Sequence, residues 1–166
     1  MNREERYALM GAPTLYHRIA AIVSAVILVA VIVVILCLWK TLPEQVPTNY
    51  DAHGNPTDWG GRATLLITPI LGLVMEGVMS LVSLFPGTWN TGIRVTPENR
   101  FAVYRALMDL MADERLSFAV VFAALTLLPV FFEGTGAWVP VTILPLVFWP
   151  IVRYLVRVIR IKRSLG

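Results

Sequence analysis

The sequence predicts an all-α membrane protein: an antiparallel four-helix transmembrane bundle with an ordered extracytoplasmic loop and an amphipathic cytoplasmic helix leading into the third span. Three observations carry this expectation. Hydrophobic residues make up 57% of the 166 positions and charged residues only 15%, whereas about a quarter of a soluble domain is charged. Four apolar runs approach the roughly 20 residues that a bilayer crossing requires. The basic residues gather at alternate junctions between those runs. Together these features leave no room for a soluble catalytic domain, and residues 1–166 read as one membrane domain.

The first span is expected at about 19–39, ending on Trp39 and Lys40, side chains suited to the headgroup level. The single Cys37 lies within it, so an intrachain disulfide is ruled out. The run is longer than a signal-peptide core and no small-residue cleavage site follows, which predicts a retained helix. The second span is expected at about 63–85, ending at Pro86-Gly87. The third is expected at about 116–132 and the fourth at about 138–159, joined by a tight turn at Glu133-Gly134-Thr135-Gly136. Pro140, Pro145 and Pro150 recur in the fourth and predict a bent helix with freed carbonyls.

Charge sets the expected orientation. Arg3, Arg6 and Arg18 precede the first span; Arg94, Arg100, Arg105 and Arg115 lie in the 86–115 loop or at its end; Arg153, Arg157, Arg160, Lys162 and Arg163 close the chain. Only Lys40 and Arg62 lie on the other side, so the positive-inside rule places both termini and the 86–115 loop in the cytoplasm. The 40–62 loop then faces outward. Arg153, Arg157 and Arg160 share a helix face and match a stripe that binds anionic lipid headgroups on the cytoplasmic side. The basic residues lie beside apolar runs, without the exposed aromatic platform of a nucleic-acid binder, so no nucleic-acid partner is expected.

Within 86–115, Thr96, Pro97 and Glu98 form a helix start. Phe101, Tyr104, Met108 and Met111 then recur at helical spacing, opposite Arg105, Asp109 and Asp113. In the second span Thr68, Gly72, Glu76, Ser80 and Ser83 line one small, polar face that should pack inward. Glu76 is placed near the bilayer centre, where a carboxylate needs a partner or a proton. Thr126, Arg153 and Tyr154 are the candidate partners.

The 40–62 loop is the other candidate site. Pro43 and Pro47 impose extended backbone, and Asp51 to Pro56 is rich in turn formers. Tyr50 and Trp59 are placed to anchor it at the membrane surface. Asp51, Asn55 and Asp58 lack the spacing and ligand number of a calcium loop, and His17 and His53 fall on opposite sides of the membrane, so no metal site is expected. Without a His-Glu-x-x-His, a Gly-x-Ser-x-Gly or a phosphate-binding glycine loop, neither catalytic residues nor a cofactor is expected.

Leu42, Pro43, Val46, Pro47, Thr48, Tyr50, Asp51, Gly54, Pro56, Trp59 and Gly60, set between a first and a second span, resemble the bacterial domain of unknown function that forms the front of SdpI-type bacteriocin immunity proteins. A looser likeness runs on to Pro97, Asn99 and Arg100. Where that family usually has His after Pro-Thr this chain has Asn49, so no metal or proton role carries over to that position. The resemblance implies a bacterial plasma-membrane protein with an immunity or envelope-regulatory role and a secreted peptide or another membrane protein as partner. Its recognition surface would be Pro43, Pro47, Thr48, Asn49, Tyr50, Asp51, Gly54, Asn55, Asp58 and Trp59. The alternatives are a small transporter using Glu76 and, last, a membrane enzyme.

Overall fold

The computed structural model describes residues 2–132 and 138–163. Their order is α1 (Arg3–Met10), α2 (Leu15–Leu38), β1 (Gln45–Tyr50), β2 (Pro56–Gly61), α3 (Ile67–Val82), α4 (Arg100–Phe131) and α5 (Trp138–Arg163). A 3-10 turn at Arg62–Leu66 leads into α3, and another occupies Pro86–Thr88. Four helices are long and apolar enough to cross a bilayer: α2, α3 with its leading turn, α4 and α5. The expected turn at Glu133-Gly134-Thr135-Gly136 lies outside the described residues.

The all-α expectation needs correcting in one respect, because β1 and β2 form a two-stranded antiparallel sheet between the first two spans. Several bounds move as well. The first span begins at Leu15 and the second helix ends at Val82; the helix expected to lead into the third span does so without a break, over 32 residues. Residues 3–10, read only as a tail, form α1. Its start is a reciprocal cap: the Asn2 side chain accepts the Glu5 amide at 2.8 Å, and the Glu5 carboxylate accepts the Asn2 amide at 2.9 Å.

Why α2 packs as it does follows from its spacing. Ala20, Ser24, Leu28, Val31 and Ile35 are buried at steps of three and four, while Ile22, Val26, Val29 and Val33 stay exposed. An exposed apolar face on a helix this long is suited to lipid. The central element is α4, which packs on α2, α3 and α5. Gly72 brings α3 close to it: a Cβ there would lie 2.6 Å from Phe122 Cδ2 and 2.7 Å from Leu28 Cδ2. Only a glycine lets three helices meet at that point.

Two apolar clusters close the ends. Ile35, Leu42, Val46 and Leu65 are buried together, with Leu127 and Val130 of α4 packed on them. At the other end Met10, Tyr104 and Met108 are buried with Tyr7 and Trp89 alongside. Thus α1 and the 83–99 segment are fastened to the first turns of α4, and the Tyr154 hydroxyl ties α5 to the same segment by donating to the Thr91 carbonyl at 2.8 Å.

Candidate functional site

The hairpin is built from its turn outward. Asp51 Oδ1 accepts the amides of His53 and Asn55, each at 2.8 Å, and Oδ2 accepts the Asn55 side-chain amide at 3.0 Å. Gly54 turns the chain with φ of +86°, a conformation natural only to glycine. Hydrogen bonds from Asn55 first, then from His53, hold the Asp51 carboxyl below its ordinary value. Asp51 and Asn55 therefore spend their polar groups on the turn itself.

Along the strands Val46 faces Gly60 and Pro47 faces Trp59, after which the register shifts on either side of the Asn49–Asp58 pair. Pro47 has no amide to give to a ladder, and irregular pairing beside it is the expected result. Asn49 Nδ2 donates to Asp58 Oδ2 at 3.0 Å. A Cβ on Gly60 would come within 2.8 Å of Thr48 Cγ2, so the glycine keeps Thr48 in place. Thr48, Asn49, Asp58 and Trp59 are exposed, Pro43 lies exposed before β1, and Tyr50 is half-buried. Burial raises the Tyr50 hydroxyl above its usual range.

Arg62 fastens the base of the hairpin. Its amide donates to Glu44 O at 3.1 Å, its guanidinium donates to Trp39 O at 3.0 Å, and the group lies 5.3 Å from the Trp39 ring centre. The carbonyls at the carboxyl end of α2 thus receive a cation, which also complements the helix dipole.

At the end of the helices away from the hairpin lies a layer of charged side chains. Arg115 Nη1 donates to Glu76 Oε1 and, at 3.1 Å, to Ser80 Oγ. Asp113 accepts the Tyr16 hydroxyl on Oδ1 and Arg153 Nη1 on Oδ2, the latter at 2.6 Å. Asp109 pairs with His17 Nε2 at 2.7 Å and with Arg157. The Thr14 amide donates to His17 Nδ1, so Nε2 carries the proton that Asp109 accepts. α4 supplies Asp109, Asp113 and Arg115, a band about 9 Å deep at 1.5 Å per residue, and every other span contributes a partner.

This geometry corrects the partners expected for Glu76. Arg115 takes it, whereas Arg153 belongs to Asp113, Tyr154 to Thr91, and Thr126 donates to Phe122 O in its own helix at 2.8 Å. Glu76 stands six residues before the end of α3 and meets α4 at Arg115. The face Gly72, Glu76 and Ser80 does meet α4, and Thr68 begins the same row one turn earlier. Of the arginine stripe, Arg153 and Arg157 are held by carboxylates, and Arg160 is exposed.

Sequence reasoning missed two residues here. Arg115 was counted as topogenic charge, although its seven-residue spacing from Met108, on the buried side, places it on an inward face. Glu114 was passed over; it is 8% exposed, and neither carboxylate oxygen has a hydrogen-bond partner among the described residues. Among those residues no group of three His, Cys, Asp or Glu side chains is placed to hold a metal ion.

Fold and site define a helical protein of membrane type, with a braced hairpin between its first two spans and a charged layer at the opposite end. Residues 26–73 match the family model described as Domain of unknown function (DUF1648), a stretch that runs from mid-α2 through the hairpin into α3. No curated protein and no solved structure matches the chain.

Proposed function

We propose that this is a non-enzymatic, multi-pass protein of the bacterial plasma membrane, an antiparallel bundle with both termini cytoplasmic, whose 45–61 hairpin is an extracytoplasmic recognition surface. The role is SdpI-like immunity or envelope regulation, and the partner is a secreted peptide or another membrane protein. The supporting observation is the hairpin's construction. Its turn is braced by Asp51 and its base buried through Val46, yet Thr48, Asn49, Asp58 and Trp59 stand exposed. A surface ordered in advance loses little entropy on binding. The resemblance over residues 42–60 and the family match both centre on this segment. Arg160 is assigned to anionic headgroups, since Arg153 and Arg157 already face carboxylates.

The test is survival of a deletion strain, complemented with wild type or Trp59→Ala and challenged with secreted peptide toxins. An exposed aromatic anchor at the centre of an interface is worth 2 kcal/mol or more by truncation, so Trp59→Ala should reduce protection by roughly tenfold or more at an unchanged protein level. Unchanged survival, together with proton or solute flux that depends on Glu76, replaces this reading with the transporter.

A further inference from the structure

A cavity of about 280 Å³ lies between α1, the start of α2, the end of α3 and α4. Its polar wall includes Arg6, Arg18, Arg115, His17, Ser80 and Ser83, and no carboxylate lines it among the described residues. Arg115 and His17 are already engaged by Glu76 and Asp109. Arg6 and Arg18 make no ion pair among the described residues, and Arg6 Nε is buried with no hydrogen-bond partner there. Their fields converge on Tyr7, whose hydroxyl is lowered chiefly by its bond from Arg3 and further by Arg18 and Arg6. Arg6 is half-buried and Arg18 exposed, and a buried guanidinium N–H needs an acceptor, which an anion in this cavity would supply.

The rest of the wall completes the chemistry. The carboxyl end of α3 would repel an anion through its free carbonyls, but Ser83 Oγ donates to Ser80 O at 2.6 Å and Trp89 Nε1 to Val82 O at 2.9 Å. The amino end of α2 adds positive potential. The same cavity is lined by Met10, Trp89, Met108 and Met111, a soft apolar surface. Arg18 lies in the first turn of α2, exposed, immediately before the apolar run that begins at Ile19, a placement from which a long cationic side chain reaches toward the interface. The ligand chemistry that fits is a phosphate joined to an apolar chain.

We propose that this cavity binds the phosphate of an anionic membrane lipid, with Arg6 and Arg18 as its ligands and the methionine-lined side against the start of an acyl chain. The site is separate from the stripe on α5 and does not depend on what the hairpin recognises.

Native mass spectrometry of the full-length protein, with phosphatidylglycerol titrated into the detergent, tests it. Each arginine near an anionic lipid surface is worth about fivefold in affinity, so Arg6→Gln with Arg18→Gln should weaken the first bound lipid roughly thirtyfold. The melting temperature should stay unchanged, because neither side chain is in an intramolecular ion pair among the described residues. Arg160→Gln should leave the first lipid in place. Wild-type affinity in the double variant overturns the proposal, and so does an equal loss in Arg160→Gln, which would mean diffuse attraction to all the arginines. Inorganic phosphate alone, titrated the same way, should bind far more weakly than the lipid. Equal binding reassigns the cavity to a soluble phosphate ester and overturns the lipid.

Discussion

Glu76 and Arg115 illustrate how a charge is kept among apolar helices. Their side chains are 11% and 7% exposed, and removing one member of such a pair costs about 3–5 kcal/mol because the other is left buried and charged. Glu76→Leu should therefore lower thermal stability in detergent by that amount, and Glu76→Gln by less, since the amide still accepts a hydrogen bond. Adding Arg115→Leu to Glu76→Leu should restore part of the loss, and a double-mutant cycle measures the coupling. Additive losses would mean the two do not interact.

Asp51 gives a second expectation at this scale, with its sign set by the lowered pKa. A carboxyl whose folded value lies below its ordinary 3.8 stabilises the turn fully above that value and loses the contribution as pH falls through the lower folded one. Hydrogen exchange at the His53 and Asn55 amides, corrected for intrinsic rates, should be flat from neutral pH to about 5 and accelerate only below about 4. Asp51→Ala should remove that acid dependence altogether.

Among the elements, the two glycines of α3 make a matched pair. A Cβ at Gly72 meets Phe122 and Leu28 at under 3 Å, whereas one at Gly77 meets nothing within 4 Å. Gly72→Ala should cost about 1–3 kcal/mol through overpacking, while Gly77→Ala should stabilise by up to about 1 kcal/mol through helix propensity. Thermal denaturation of the two variants in one detergent decides it; equal effects would mean that close approach at Gly72 is not what holds the helices together.

The elements were legible in the sequence to different degrees. Continuous apolar length made α2 plain, and Pro43, Pro47 and the Asp51–Pro56 run made an ordered, turning loop plain. Strand pairing was not, because two six-residue segments containing Pro47 and Gly60 lack the alternation that marks a sheet. α1 is too short and polar to signal a span, although Asn2 and Glu5 spell its cap. The row from Thr68 to Ser80 identified an inward face but not its depth relative to α4. Spacing along one helix carries no information on the axial offset of its neighbour, and that offset selects Arg115 over Thr126.

For the whole molecule, orientation is the decisive expectation. With Cys37 replaced by Ser, single cysteines at Asp58 and Arg105, both exposed, should divide: an impermeant reagent applied outside intact cells should label position 58 and spare 105. The reverse pattern would invert the bundle and remove the hairpin from the outside.

Because α4 is one helix of 32 residues, it extends about 48 Å, against a hydrocarbon core of about 30 Å. Leu127 and Val130 near one end touch the cluster beneath the hairpin, and Tyr104 and Met108 near the other lie under α1. Between them the carboxylates and Arg115 tether the rod to its three neighbours, about 25 Å from the first contact and about 10 Å from the second. That arrangement is a lever with its fulcrum nearer the end that α1 covers. A sideways push on the hairpin base should reappear beneath α1 reversed in direction and reduced by somewhat more than half.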